Sequence, residues 1–387
     1  MKSILWLPSW YPNRTDHFTG DFIQRHAKAT SIYNKIIVLH VVKANENFYL
    51  GNILEEINVE NNLTEHIIYY KSNISIGIID KIVSLFLYLK IYRRAILKYK
   101  NEGIIEPFVH VHVPLKAGLP ALWLKRKFNF PFAITEHYDI YNNVIEDPFI
   151  KRNFLFRYFV KKIIEQSTVF IPVSNFLGEA VNKMVVAKPY CIVYNTVDTN
   201  LFFLKYDTEK KQNFRFIHVS GMTPSKNVEG IINATERLAK KRNDFDLIIV
   251  GSLNNKIHLM AKQKNLLNRA IFFTGELSYS EVARQMQMAQ SAIVFSKTET
   301  MSCVAAEAIC CGLPVIATQV GGVPEVINTS NGLCVQSENE NELEQAMNAM
   351  IDNYDEFDRK KIEQKAHDKY AYENIGKQIA QLYQRYF

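Results

Sequence analysis

Short apolar runs recur along the chain, and amphipathic segments separate them. In the first half the runs are SILWL (3–7), KIIVLHVV (35–42), FVHVHV (108–113), FAITEH (132–137) and VFIPVS (169–174). In the second half they are FRFIHVSG (214–221), DLIIVG (246–251), AIFFTG (270–275), SAIVFS (291–296) and PVIAT (314–318). Many are short, β-branched and continuous rather than alternating, the pattern of strands in a sheet buried on both faces. Helix-period segments lie between them, which predicts parallel βαβ units. The pattern gives way after CIVYNTVDTNLF (191–202) to LKYDTEKKQN (204–213), a polar stretch suited to a linker. The expectation is an α/β chain of two doubly wound parallel-sheet domains, 1–203 and 204–369, each with its functional edge at the carboxyl ends of its strands. The last segment, 370–387, places Ile375, Ile379, Leu382, Tyr383 and Tyr386 on one helical face, and that helix is expected to dock on the back of the first domain.

Composition agrees with this reading and adds an asymmetry. At 387 residues, 48% hydrophobic and 22% charged, the chain is long for one core and ordinary for a soluble protein. Residues 1–199 hold 24 Lys and Arg against 17 Asp and Glu, whereas 200–387 hold 22 of each. The net charge of +7 therefore belongs to the first half. Much of it clusters in LKIYRRAILKYK (89–100), LKRKF (124–128) and KRNFLFRYFVKK (151–162), with Phe and Tyr interleaved. Such segments suit the surface of an anionic membrane without spanning it. No apolar run approaches the roughly 20 residues a spanning helix needs. The N-terminal apolar run is broken by Pro8, Pro12 and Arg14, unlike a secretory signal. The five cysteines, Cys191, Cys303, Cys310, Cys311 and Cys334, match neither a zinc site nor a disulfide framework. They read as reduced thiols of a cytoplasmic protein, peripheral at the inner face of the plasma membrane where the basic segments meet it. No nucleic-acid module is visible, no G-x-G-x-x-G follows a strand, and the Asp-x-Asp of NDFDLI (243–248) opens a buried strand rather than a metal site.

The chemistry concentrates in residues 298–327, TETMSCVAAEAICCGLPVIATQVGGVPEVI. Glu307 stands inside an Ala, Cys and Ile run, where an unpartnered carboxylate is costly. Ser302 is placed to cap a helix ending at Gly312. The N–H groups at that helix start favour an anion. Glu299 falls in the loop before the helix and Glu307 between one and two turns into it, so the two carboxylates can face one ligand. Glu325, after Gly-Gly-Val-Pro, also suits a helix N-terminus by its charge alone.

Glu299, then Glu307-Ala308, Gly312, PVIAT, Gly321-Gly322 and Pro324-Glu325 together resemble the hallmark of family 4 glycosyltransferases, retaining enzymes of the GT-B fold that include many bacterial surface-polysaccharide enzymes. SWYPNRTDHFTGDFIQRHAKA resembles the family's first strand, glycine loop and helix. HVHVPLKAG with PFAITEH resembles its histidine segment, VYNTVDTNLF its hinge, and HVSGMTPSKN its phosphate loop. The resemblance implies two Rossmann-like domains around a cleft, an acceptor-binding first domain, a donor-binding second domain and a C-terminal helix returning to the first. It implies sugar transfer from a UDP- or GDP-linked donor to a saccharide or lipid-linked saccharide, with no cofactor and no metal. Glu299, Lys226 and His137 are the implied catalytic residues. Gly20, Gly221, Ser225, Lys226, Asn227, Glu299, Met301, Ser302, Cys303, Val304 and Glu307 are the implied donor contacts, with Glu299 on the sugar and Glu307 on the ribose. Asp21 reads equally as an acceptor-side base and as a helix-start aspartate. The chain departs from the pattern at Met222, where the phosphate loop ordinarily carries an arginine, and at Met301 and Ser302, where Phe and Gly are common. A sugar-nucleotide epimerase or a phosphorylase on the same fold, and a non-catalytic sugar-binding homologue, remain alternatives.

Overall fold

The continuous apolar runs become the strands of two sheets in the computed structural model, which describes residues 2–44, 53–72, 77–142, 144–205 and 213–387. The first half runs β1 (Ser3–Pro8), α1 (Asp21–Ser31), β2 (Ile36–Lys43), β3 (Ile53–Glu60), β4 (Leu63–Tyr70), α2 (Gly77–Asn101), β5 (Ile105–His112), α3 (Gly118–Phe128), β6 (Phe132–Glu136), α4 (Phe154–Gln166), β7 (Val169–Pro172) and α5 (Asn175–Met184). Its sheet has the order β3-β4-β2-β1-β5-β6-β7. The second half runs β8 (Phe214–Val219), α6 (Val228–Ala239), β9 (Phe245–Val250), α7 (Asn255–Gln263), β10 (Ile271–Gly275), α8 (Tyr279–Gln287), β11 (Ser291–Val294), α9 (Cys303–Cys310), β12 (Val315–Thr318), β13 (Gly332–Val335), α10 (Glu340–Asp352), α11 (Arg359–Tyr370) and α12 (Tyr372–Tyr386). Its sheet, β10-β9-β8-β11-β12-β13, is parallel throughout.

The strand pleat explains how both faces of the first sheet are covered. Ile4 and Trp6 of β1, with Ile36 and Val38 of β2, join a core with Ile23 and Ala27 of α1 and Ile375 and Ile379 of α12. Their neighbours Leu5, Leu7, Ile37 and Leu39 point the other way, into a core with Tyr92, Leu124 and Ile163 of α2, α3 and α4. Period two thus assigns α1 and α12 to one face and α2, α3 and α4 to the other.

Three strands depart from the sequence expectation. β3 pairs antiparallel with β4, so the first sheet is not purely parallel. Its sequence, ILEEINVE, is mostly exposed and carries Glu55, Glu56 and Glu60, the composition of a protected edge rather than of a buried strand. β4 mixes polar and apolar residues beside it, and β13 is four residues on the opposite sheet's edge. The linker reading at 204–213 falls largely on residues 206–212, which lie outside the described residues. Among the described residues no helix is long and apolar enough to cross a membrane.

The chain crosses between the domains at two adjacent places. The Val197 N–H donates to the Tyr370 carbonyl at 2.9 Å and the Thr196 hydroxyl to the same oxygen at 2.8 Å. From there α12 lies along α1, and the Tyr383 hydroxyl meets His110 Nδ1 at 2.6 Å. Gly376 sets the closeness of that contact, because a Cβ there would stand 2.0 Å from the Ala29 carbonyl oxygen. Gly376→Val is therefore expected to push α12 off α1 and lower stability by about 1–3 kcal/mol, the usual cost of overpacking. A denaturant midpoint unchanged from the parent would contradict this packing role.

Candidate active site

The Glu299 loop is held from both sides by backbone. Gly321 has φ +56°, and a Cβ there would lie 1.7 Å from the Glu299 carbonyl oxygen; one at Gly322 would lie 2.1 Å from that of Thr300. The Gly-Gly pair is thus what lets two chain segments touch. From the first domain, the Ser174 hydroxyl donates to the Thr300 carbonyl at 2.7 Å and Asn142 donates to the Thr298 hydroxyl at 2.7 Å. The Thr300 hydroxyl donates to the His137 carbonyl at 3.2 Å. The loop therefore lies in the seam between domains.

Helix α9 begins where this loop ends. The Ser302 hydroxyl accepts the Ala305 N–H at 3.3 Å, and Gly312, at φ +66°, follows the last turn. Among the described residues the N–H groups of Cys303 and Val304 meet no acceptor, so the helix start offers free donors to an anion. The Met301 side chain is buried in the other direction, its sulfur accepting the Asn195 N–H of the interdomain segment at 3.1 Å.

Both motif carboxylates are buried, 9% exposed for Glu299 and 4% for Glu307, and each has its own cation. Lys226 Nζ stands 2.6 Å from Glu299 Oε1, which also accepts the Ser296 hydroxyl at 2.8 Å. Burial by itself would lower the Lys226 pKa; the Glu299 carboxylate more than reverses this and raises it. Lys226 is placed by a short turn, Pro224–Lys226, after β8. In that turn Met222 adopts φ +54°, Ser225 gives its carbonyl to the Lys297 N–H at 2.7 Å, and the Asn227 side chain caps α6 through the Gly230 N–H. Gly221 has open space around it.

Glu307 is met from the other domain. Arg25 Nη1, on α1, donates to Glu307 Oε1 at 2.5 Å and to the Tyr279 hydroxyl at 2.6 Å, while Nη2 reaches Asp21 at 3.1 Å. The Tyr279 hydroxyl donates to Glu307 at 3.3 Å, and its ring lies 4.9 Å below the guanidinium. Burial raises the Glu307 pKa and Arg25 opposes the rise. Asp21 opens α1 and is engaged with Arg25 one turn on. Gly20 before it has φ +70°, and a Cβ would press within 2.6 Å of the Trp10 backbone.

His137 is buried at the carboxyl end of β6. Its Nδ1 lies 3.1 Å from Asn195 Oδ1, so Nδ1 carries the proton and Nε2, 3.4 Å from His112 Nδ1, is the accepting nitrogen. Burial first, then the neighbouring His26, hold the imidazole far below its ordinary pKa and therefore neutral. Contact with a sugar through the ring requires it to release one of these partners, whereas its carbonyl already reaches the Glu299 loop. Glu325 sits at a helix N-terminus in the other domain, its two oxygens accepting the Asn175 and Phe176 N–H groups of α5, each at 2.9 Å.

Tyr279, Arg25, Asp139 and Asn195 escape sequence reasoning. Arg25 reads as a helix-face arginine, although its i,i+4 spacing from Asp21 is a usable hint. Asp139, two residues past His137, lies close enough to Lys226 and Glu299 to feel both: burial raises its pKa, Lys226 lowers it and Glu299 raises it. Asn195 joins His26, His137 and Met301 from the interdomain segment.

Removing Arg25 exposes the cost of the buried carboxylate. Arg25→Met is expected to destabilise the chain by about 3–5 kcal/mol at pH 8, because Glu307 then carries an unpaired buried charge. With its pKa already raised in the folded state, Glu307 takes up a proton as pH falls, so the deficit should shrink by pH 5. Denaturant melts of parent and variant at both values test this; a deficit independent of pH would show that Glu307 is not the group left unpaired.

Comparison with known proteins agrees with this architecture. The model of Glycosyltransferase Family 4 matches residues 76–201 and that of Glycosyl transferases group 1 matches residues 203–369. An uncharacterized glycosyltransferase of Methanocaldococcus jannaschii is 29% identical over 255 residues, 66% of this chain and 67% of that one. The solved sucrose-phosphate synthase of Thermosynechococcus elongatus superposes with a TM-score of 0.79 at 18% identity, covering 99% of both chains. Anabaena HepE, solved with UDP, superposes with a TM-score of 0.73 at 17% identity over the whole of both chains. At these identities the structural likeness shows the fold, two parallel-sheet domains facing each other, while the two matched models show the family: the chain belongs to the GT-B glycosyltransferases of the family 4 type.

Proposed function

We propose that this glycosyltransferase is a metal-independent, retaining hexosyltransferase. In this reading it moves a sugar from a UDP- or GDP-linked donor to a hydroxyl of a lipid-linked saccharide at an anionic membrane surface, in surface-polysaccharide or glycolipid assembly. The observation that carries the reading is the Lys226–Glu299 pair beside the free N–H groups of α9, in the seam between the domains. Breaking a sugar–phosphate bond leaves a diphosphate whose charge must be taken up. A lysine and a helix N-terminus aimed at one point supply that without a metal. The UDP held by the Anabaena neighbour supports a nucleoside diphosphate as the ligand of this fold.

The roles then divide along the two ion pairs. Glu299, released from Lys226 as the diphosphate takes the lysine, accepts hydrogen bonds from the donor sugar. Glu307 accepts those of the ribose, with Tyr279 and Arg25 alongside. His137 and Asp139 bring the first domain's loop over the reacting centre. The basic segments of the first domain hold the enzyme where lipid-linked acceptors are presented.

Product formation from a panel of labelled sugar nucleotides tests the assignment. A glycosylated lipid extract is expected, with the donor's anomeric configuration kept. An epimerised free nucleotide sugar, a sugar phosphate, or no product would favour the epimerase, the phosphorylase or the non-catalytic homologue respectively. Glu299→Gln is expected to lower turnover more than nucleotide affinity. Glu307→Ala is expected to weaken UDP or GDP by about ten- to a hundred-fold, one charge-assisted hydrogen bond's worth. Calorimetry of the full chain in chelator measures nucleotide affinity and the product assay measures turnover; equal losses of nucleotide affinity in the two variants would contradict the division of roles, and strict dependence on a divalent ion would contradict the metal-free reading.

A further inference from the structure

The face of the first domain opposite α1 and α12 carries an apolar groove of about 550 Å³ between α2, α3 and α4. We propose that this groove takes one acyl chain of an anionic phospholipid, with the lipid phosphate on Arg93, Arg126 and Lys127. The inference rests on the membrane reading of the acceptor and specifies the surface that meets the bilayer.

The lining changes character along its length. Leu85 and Leu89 come from α2, Leu122 and Trp123 from α3, and Phe159 from α4. The three cations lie at the other end, toward the last turn of α3. The Arg93 guanidinium is 5.5 Å and the Lys127 ammonium 5.9 Å from the Trp123 ring centroid. All three cations are exposed, and among the described residues none has a carboxylate partner. Three cations with no carboxylate partner, around an apolar slot, suit a phosphate with a hydrocarbon tail.

The helices flanking the groove present apolar side chains to solvent in their N-terminal halves. Ile78 and Phe86 of α2 are 76% and 65% exposed, and Phe154 and Leu155 of α4 are 70% and 63% exposed. Isolated exposed apolar residues are unremarkable, but several on the N-terminal halves of two neighbouring helices call for a partner. An acidic protein would match the cations alone. Apolar tips with cations behind them match the depth profile of a bilayer interface, where the tips enter the acyl boundary and the cations stay at the headgroups. The first turns of α3 and α4 follow the carboxyl ends of β5 and β6, the edge at which the His137 loop meets the second domain. Docking this face therefore brings the cleft to the membrane surface that presents a lipid-linked acceptor.

Trp123 is a built-in reporter. The full-length protein is mixed at low salt with vesicles of phosphatidylcholine and phosphatidylglycerol, the latter brominated along its acyl chains, and tryptophan emission is followed beside co-sedimentation. Both proteins carry Trp10→Phe, because Trp10 is half-buried beside Phe22 and Tyr138 at the cleft edge, and Trp6 is buried on the far face of the sheet. Quenching is expected, and Trp123→Phe should abolish most of it while leaving co-sedimentation in place. Replacing Arg93, Arg126 and Lys127 by glutamine should weaken co-sedimentation by about a hundred-fold, one decade or slightly less per cation. Circular dichroism confirms that both variants fold. Co-sedimentation without Trp123 quenching would overturn the groove and leave the membrane reading standing. Equal binding to phosphatidylcholine alone would overturn the phosphate contact. Absence of vesicle binding would overturn both inferences and return the groove to a protein partner.

Discussion

Two carboxylates buried in one seam set the terms for everything around them. An unpaired charge in such a place costs several kcal/mol, so Glu299 and Glu307 each require a cation while no ligand is present. They take them from different elements: Lys226 from the turn after β8 in the same domain, and Arg25 from α1 in the other. The first pair survives any movement of the domains. The second exists only while they are together, so the state of Glu307 reports whether the molecule is closed.

The surrounding backbone serves that arrangement. Gly321 and Gly322 allow the segment after β12 to press on the Glu299 loop where a Cβ would collide with two carbonyls. Ser302 turns the chain into α9 with the first donors left open. Met222 stands where the resemblance expects an arginine, and Arg25 brings a cation to the seam from the opposite domain. A guanidinium supplied by the opposite domain makes charge at this site conditional on closure, which a cation within the loop would not.

The parts legible in the sequence are those with a local signal. Continuous apolar runs mark the central strands because both of their faces are buried, and the tail after Glu307 marks the site because its glycines and prolines sit at fixed offsets. The edge strands are illegible for the opposite reason. β3 buries little, so its residues alternate with glutamates like a loop or an exposed helix face. Arg25 and Glu307 are separated by 282 residues, and nothing near either position announces the other. The charge of Glu325 suits a helix N-terminus from sequence alone, but that the helix is α5 of the other domain is a property of the fold.

Closure has a geometry of its own. The two chain crossings lie against one another, joined by Val197 and Thr196 donating to the Tyr370 carbonyl, an arrangement that would let the second domain pivot about one place rather than slide. Much of what opening would break is solvent-replaceable: the amide of Asn142 on Thr298, the hydroxyl of Ser174 on Thr300, the carboxylate of Glu325 on α5. Water can take those places at modest cost. Arg25 and Glu307 differ, because both are buried and their pair spans the domains: on opening Glu307 loses its counter-charge and Arg25 keeps only Asp21. Hydration offsets part of that loss, and in the proposed role of Glu307 a bound ribose would offset more. The pair that makes the closed state costly to leave is therefore, in that role, also the pair through which a nucleotide would change the balance between open and closed.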